Sequence, residues 1–401
     1  ERLVVVTPPD AEDVRALIGD GATCVVQPVA RGTGHAVQCG MEALADFDGD
    51  VLVLNGDHPL VRATLLRSLI DAHRDALAAG TLLTTRFDPR DAADPRCAFG
   101  RVLRDRDGNV QRVVEVRDAS PAELEIDEAN VGFYVFETVA LRASLAALRP
   151  DNAQGELYLP DVVPVLAEQG RRITGHLTDD ASSTIGVNTR VDLATAERLM
   201  RERLIEAHLL AGAGIVDPAS TFIDADVVLE PDCVIQPFTV LRGTTRIAAG
   251  AEIGPHAVLV DATVEEGAKA GPFCYLRPGA HLAADAKVGT FVEVKNSVIG
   301  SGAKVPHLSY VGDADVGAGT NIAAGNITAN YNPVTRTKHR TVLGEGVSTG
   351  CHSVFIAPVT VGDGAFVAAG SVITGDVPAE ALAIARARQV NIDDYARRPK
   401  E

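Results

Sequence analysis

The stretch VLEPDCVIQPFTVLRGTTRIAAGAEIGPHAVLV, residues 228–260, sets an aliphatic side chain at every sixth position: Leu229, Ile235, Leu241, Ile247, Ile253 and Leu259. After a one-residue slip the rhythm resumes as Val264, Ala270, Leu276, Leu282, Val288 and Val294. Further slips carry it through Ile299, Val305, Val311, Val316 and Ile322, and after an interruption through Phe355, Val361, Val367 and Ile373. A helix face repeats at about 3.6 residues and a strand at about 2, so a sustained six with Gly, Asp and Ala between fits neither. It is the hexapeptide pattern of a parallel β-helix, whose flat sides each take one short strand and whose corners need small or turn-forming residues. Each coil leaves an apolar rim until the next stacks on it, so the array predicts one continuous core.

Outside this array the chain changes character. Its 401 residues suffice for two or three domains. Residues 1–188 alternate β-rich runs with helical stretches, as in an α/β fold. The chain enters a strand at once (Leu3–Val6), and the clearest later strand, Val51–Leu54, stops at Asn55-Gly56-Asp57. Further strands are expected at Leu82–Thr85, Val113–Val116 and Val131–Val135, and helices over 61–79, 137–147 and 157–169. Residues 189–214 read as a helix joining two domains, with Asp192 as its N-cap and Gly212 as its stop. The β-helix then spans 215–378, and 379–401 form a tail containing Arg386, Arg388, Arg397, Arg398 and Lys400.

Composition restricts the partners. A formal charge of -17 argues against nucleic acid or an anionic membrane surface, so an anionic ligand must meet local basic clusters. Six scattered cysteines show no C-x-x-C or Cys/His ligand spacing, which points to a reducing cytoplasm rather than a disulfide framework or a zinc site. No apolar run is long enough to span a bilayer, so membrane insertion is not expected.

Two groups of residues suggest chemistry. Asp57 follows an apolar strand, where α/β sheets hold their ligands; its carboxylate suits Mg²⁺ held against phosphates, or a cap on the next element. Gln27–Ala36 (QPVARGTGHA) carries Gly32 and Gly34 around Thr33, either a close backbone approach to a ligand or an ordinary turn. On the β-helix, Arg277, Glu293, Lys295, His307, Tyr310, Asn321, Asn330 and Tyr331 are residues a plain scaffold does not need. Between Tyr331 and Thr341 the rhythm breaks for a loop with Arg336, Lys338, His339 and Arg340, an anion site or a solvated charged loop. Acetylating an amine needs a base, a thioester carbonyl within reach and donors for the oxyanion. His307 suits the first task, and a nearby Glu293 would orient its imidazole, although a histidine at a β-helix corner also serves structure.

These residues, in order, carry a family resemblance. Gln27, Gly32-Thr33-Gly34-His35-Ala36, Gly56-Asp57, Phe99-Gly100-Arg101, Val114-Glu115, Asp118-Ala119, Asn130 with Gly132, Asn152-Ala153-Gln154-Gly155-Glu156 and Gly186-Val187-Asn188 precede the hexapeptide β-helix. The chain thereby resembles, over nearly its whole length, the bacterial bifunctional N-acetylglucosamine-1-phosphate uridylyltransferases/glucosamine-1-phosphate acetyltransferases. The resemblance implies an α/β Rossmann-like nucleotidyltransferase domain joined by a helix to a left-handed parallel β-helix, in a cytoplasmic homotrimer acting on sugar phosphates and nucleotides toward cell-wall precursors. Gln27, Gly32 and Thr33 would contact uracil of UTP, Asp57 and Asn188 would hold Mg²⁺, and Gly100, Glu115 and Asn130 would bind the sugar phosphate. His307 would be the general base on the amine of glucosamine 1-phosphate. Arg277, Lys295, Tyr310 and Lys338 would hold that substrate, with Asn321 and Asn330 ordering amine and carbonyl. Ala324, Cys351, Ala369 and Arg386, with Asn330 and Tyr331 beside them, match positions lining the acetyl-CoA site; Cys351 replaces the usual Ser.

The sequence departs from that pattern at its start, because the family's Gly-rich triphosphate loop would precede Glu1. A polypeptide beginning at Glu1 is therefore expected to perform no useful uridylyl transfer. Asn55 and His58 also differ from the commoner residues around Asp57. Two other functions fit parts of the sequence: a sugar-nucleotide pyrophosphorylase whose β-helix only regulates or assembles, and a structural trimerisation protein. The cluster at Arg277, Lys295, His307 and Tyr310 speaks against the first, and retention of both Asp57 and Asn188 against the second.

Overall fold

The structure, a computed structural model, describes residues 2–91 and 94–397; Glu1 and, of the basic tail, Arg398 and Lys400 lie outside the described residues. The chain divides into two compact units, Glu1–Glu197 and Arg198–Glu401.

In the first unit, β1 (Val4–Thr7) and β2 (Thr23–Val26) flank helix α1 (Glu12–Ile18) and pair in parallel as a separate two-stranded sheet. Helix α2 (Thr33–Glu42) leads to β3 (Asp50–Val53), helix α3 (Ala63–Asp75) to β4 (Gly80–Arg86), and β5 (Arg101–Arg104) pairs with β6 (Val110–Val114). The short α4 (Pro121–Leu124) precedes β7 (Glu128–Glu137), the long central strand; α5 (Thr138–Ala147), α6 (Val162–Glu168) and β8 (Ile173–Thr178) complete the unit. The sheet is mixed rather than wholly parallel: β7 runs antiparallel to β3, β4 and β5, and β4 pairs with β8 in parallel. Its core is packed by Leu82, Leu83, Phe133, Tyr134, Phe136 and Leu166.

Two local differences from the sequence reading have plain causes. The helix expected over 157–169 is a 3₁₀ turn at Leu159–Asp161 followed by α6, because Pro160 lacks an N–H and disfavours helical backbone in the residue before it. Helix α7 (Arg190–Leu210) begins ahead of Asp192, which is not the N-cap. Instead the Asp192 carboxylate accepts from the Thr189 N–H (2.8 Å) while the Thr189 hydroxyl oxygen accepts from the Asp192 N–H (3.2 Å), a reciprocal cap. Gly212, at φ +99°, closes the helix end.

In the second unit every sixth-position aliphatic points inward. Among the described residues, one face is a nine-stranded parallel ladder from Phe222–Ile223 to Val372–Ile373, and a second is an eight-stranded ladder from Val228–Leu229 to Val359–Val361. A third runs from Gly214–Ile215 to Lys304–His307, crosses Asn321 by single bridges, and continues through Ser348–Thr349 and Phe366–Val367 to Leu382–Ala383. The last coil thus extends past residue 378, because Phe366 N–H bonds the Ala381 carbonyl (2.8 Å) and Ala381 and Ala383 pack on the core. Leu241, Leu259, Leu276 and Val294 stack in successive register, all fully buried. Tyr331–Asn332 and Thr337–Lys338 form an antiparallel hairpin where the rhythm breaks.

Because each coil is packed only through its neighbours, Leu276→Ala should cost about 2–5 kcal/mol. A lowered urea midpoint with unchanged slope, followed by far-ultraviolet circular dichroism, checks this.

Candidate active sites

The first site arises where β7 changes partners. On one side β7 pairs with β5 at Ala129 and with β3 from Tyr134 to Glu137, and between these contacts the strand edge opens into a cavity of about 570 Å³. Thr33, Asp57, Gly100, Glu115, Asn130 and Asn188, far apart in sequence, all line it. Asn130 is buried; its N–H bonds the Gly100 carbonyl (2.8 Å) and its Nδ2 donates to the Tyr134 hydroxyl (2.7 Å). A Cβ on Gly100 would stand 2.9 Å from Val113 Cγ1 and 3.1 Å from Glu115 Oε1, so both side chains pack closely over it. The Val187 N–H donates to the Asp57 carbonyl (2.8 Å), which brings Asn188 to the same wall.

Gln27 and Gly32 are not in the lining but adjoin Thr33, which is. The Gln27 amide donates to the Gly32 carbonyl (3.2 Å) and meets His35 Nδ1 (3.0 Å), and the Thr33 hydroxyl oxygen accepts from Leu159 N–H (2.9 Å). Gly32 adopts φ +98°, with a would-be Cβ only 2.5 Å from the Leu157 carbonyl oxygen. Asn55 and His58, read from sequence only as departures, also line the cavity. The Asn55 amide occupies the space over Gly132, and His58 Nδ1 lies 2.8 Å from Asp57 Oδ1. Tyr134, Tyr158 and Pro160 in the lining were missed altogether, because nothing local marks an aromatic or proline as cavity wall.

The second site lies on the β-helix. A cavity of about 450 Å³ is lined by Lys295, Asn296, Asp313, Lys338, His339 and Arg340, with the hairpin delivering Lys338. The Lys338 ammonium, with burial second, holds Lys295 below the usual lysine range, while Asp313 opposes the shift. Tyr310 and Asn330 adjoin, with Asn330 Nδ2 3.5 Å from the Tyr310 hydroxyl; a Cβ on Gly312 would meet that hydroxyl. His307 ends the strand Lys304–His307 in register with Thr290 and is exposed; among the described residues its imidazole has no hydrogen-bond partner. Glu293 does not orient it. Arg277 and Glu293 project from adjacent coils, so the carboxylate is taken up by Arg277 Nη1 at 2.8 Å instead. Asn321 bridges Lys304 and Ser348 and is exposed.

The residues matched to acetyl-CoA form a neighbouring strip of surface. The His352 N–H bonds the Ala324 carbonyl (2.8 Å), and the Gly370 N–H bonds the Cys351 carbonyl (2.8 Å). Ala369 precedes Gly370, whose would-be Cβ lies 3.9 Å from Arg386 Cδ. Tyr331 is exposed at the start of the hairpin.

Residues 1–187 match the nucleotidyl transferase family, and residues 340–375 the bacterial transferase hexapeptide (six repeats). The chain is 45% identical to the bifunctional protein GlmU of Brevibacillus brevis, over 98% of this chain and 87% of that protein. It is 46% identical to the GlmU of Mycolicibacterium vanbaalenii, over 98% and 82% respectively. The chain belongs to the GlmU family of bifunctional proteins. The chain is thus a bifunctional enzyme, the nucleotidyl transferase match lying in the first compact unit and the hexapeptide match in the second.

Burial first, then the nearby carboxylates Asp118 and Asp161, pushes the Glu115 carboxyl above its ordinary range. The folded state therefore binds this proton more tightly than the unfolded one, so the stability that proton confers is complete below the unfolded pKa and is lost as pH rises through the folded value. Glu115→Gln should raise the urea midpoint of the first unit at about pH 8, with the gain vanishing near about pH 4.

Proposed function

We propose that the β-helix unit transfers the acetyl group of acetyl-CoA to the 2-amino group of glucosamine 1-phosphate. The first unit then transfers the uridylyl group of UTP to N-acetylglucosamine 1-phosphate, giving UDP-N-acetylglucosamine and diphosphate. The observation that carries the first half is the cavity lined by Lys295, Lys338 and Arg340 in a chain of net charge -17, local basicity that a module serving only assembly has no use for.

In acetyl transfer the His307 imidazole, without a hydrogen-bond partner among the described residues, takes the proton of the attacking amine. The amine forms a bond to the thioester carbonyl carbon, and the carbon–sulfur bond breaks as the thiol leaves, the proton returning to sulfur from His307. Arg277, Lys295 and Lys338 hold the phosphate by charge and Tyr310 by its hydroxyl, and the sugar so held places its amine near the base. Asn321 and Asn330 order amine and carbonyl; Ala324, Tyr331, Cys351, Ala369 and Arg386 line the acetyl-CoA side.

In uridylyl transfer Gln27, Gly32 and Thr33 hold the uracil, while Gly100, Glu115 and Asn130 orient the sugar phosphate for in-line attack on the α-phosphorus. The Asp57 carboxylate and the Asn188 amide are both hard oxygen donors on one cavity wall, a set that suits Mg²⁺ with phosphate oxygens completing the shell. Bound there, the ion would neutralise charge on the reacting phosphates.

The six cysteines are all free thiols, which supports a cytoplasmic enzyme, and among the described residues no helix is long and apolar enough to cross a membrane. A homotrimer is supported by an exposed aromatic column along one β-helix corner, where Phe238, His256, Phe273 and Phe291 stack at 4.7, 4.7 and 5.5 Å between centroids. Light scattering should give three times the chain mass; a monomeric mass refutes the trimer.

His307→Ala should lower thiol release from acetyl-CoA with glucosamine 1-phosphate about 10²–10⁴-fold, with the folded state intact by circular dichroism. Undiminished release in the variant removes His307 as base, and no release from the unaltered chain overturns acetyl transfer.

A further inference from the structure

A phosphate-binding cavity gains nothing, electrostatically, from a carboxylate in its wall. The cavity between Lys295 and Lys338 nevertheless contains Asp313, which is 6% exposed and carries a positive φ of 47°. That backbone conformation is one that Asp and Asn, among residues with side chains, adopt most readily.

Its bonds explain the placement. The Asp313 N–H donates to the Lys295 carbonyl (2.9 Å), and its own carbonyl accepts from the Thr341 N–H (3.1 Å), where the chain returns from the hairpin. The carboxylate accepts from Asn296 Nδ2 (2.6 Å), next to Lys295, and from Asn330 Nδ2, where the chain enters the hairpin. One residue thus ties the strand bearing Lys295 to both ends of the hairpin bearing Lys338. Burial pushes its carboxyl upward, but Asn296 and Asn330, with the Lys295 and Lys338 charges, prevail and hold it ionised below the usual carboxylate range. Two amide donors occupy the carboxylate, so its charge is turned toward the protein and away from an incoming phosphate.

We propose that Asp313 is the positioning residue of the sugar-phosphate site, fixing Asn330 and the hairpin and setting one carboxylate beside two adjacent lysines. This rests on the reading of the cavity as the glucosamine 1-phosphate site and deepens it. The titratable and charged groups around Lys295 are Lys338, His339 and Arg340, the last paired with Asp315, from the hairpin and its exit, Asp313 from the following coil, and Arg277, paired with Glu293, from the preceding one. Asp313 supplies the one negative charge in that set not already paired with an arginine.

The test is steady-state thiol release by the full chain carrying Asp313→Asn, a change that suits the positive φ but removes the charge and sets one amide N–H against another. The KM for glucosamine 1-phosphate should rise about tenfold or more, as for loss of hydrogen bonds to a charged group. The alkaline limb of kcat/KM for the sugar phosphate should move toward neutral pH, because Lys295 loses its counter-charge. An unchanged or lower KM, the result expected if Asp313 merely repels phosphate, overturns the proposal. If the unaltered chain releases no thiol, the acetyl-transfer reading fails by itself, and calorimetric binding of glucosamine 1-phosphate to both chains still decides the role of Asp313. Absence of binding by the unaltered chain overturns both. Should D313N fail to fold, Asn296→Gly, which removes one amide from an exposed position at φ +45°, should raise the same KM about two- to fivefold, and no rise overturns the proposal.

Discussion

Every coil of the β-helix ends in an apolar rim and a row of unpaired backbone groups that only the next coil can cover. That constraint makes the second unit a rigid ruler. Leu241, Leu259, Leu276 and Val294 are held in one column by parallel backbone ladders, and residues beside them inherit fixed positions on the outside. Tyr275, Glu293 and Tyr310 stack in the same way, as do Thr290 and His307. A functional side chain at a corner therefore needs little local support, and a hairpin can be inserted at 331–338 because the ladders close again on either side of it.

The first unit solves its problem differently. No repeat fixes its wall; the cavity exists because β7 exchanges β5 for β3 along one edge and leaves polar groups between them. Such an opening costs stability: Glu115 and Asp161 are both pushed upward by burial, and Gly32 and Gly132 adopt positive φ where another group comes too close for a side chain. The energetic cost falls where substrate would sit, as expected when groups are arranged for a ligand rather than for the empty fold.

Much of this was legible in the sequence. The period of six gave the β-helix because inward and outward side chains alternate by local backbone geometry, and the apolar runs gave β3, β4 and β7 within a few residues. Thr33, Asp57, Gly100, Glu115, Asn130 and Asn188, found by resemblance, all meet at one cavity. The Glu293–His307 contact was not found, since the partner of a corner carboxylate depends on which chain segment lies one layer away.

The sequence by itself determined the two architectures, the break in the coils between Tyr331 and Thr341 and most of the residues that bear chemistry, because these follow from side-chain period and residue type along the chain. Only the tertiary structure decided which charges face one another: that Arg277 takes Glu293, that His58 touches Asp57, and that Asp313 joins the strand of Lys295 to the hairpin of Lys338. Electrostatic and hydrogen-bond partners are set by distances of a few ångströms between residues many positions apart, and such distances exist only after the coils have stacked.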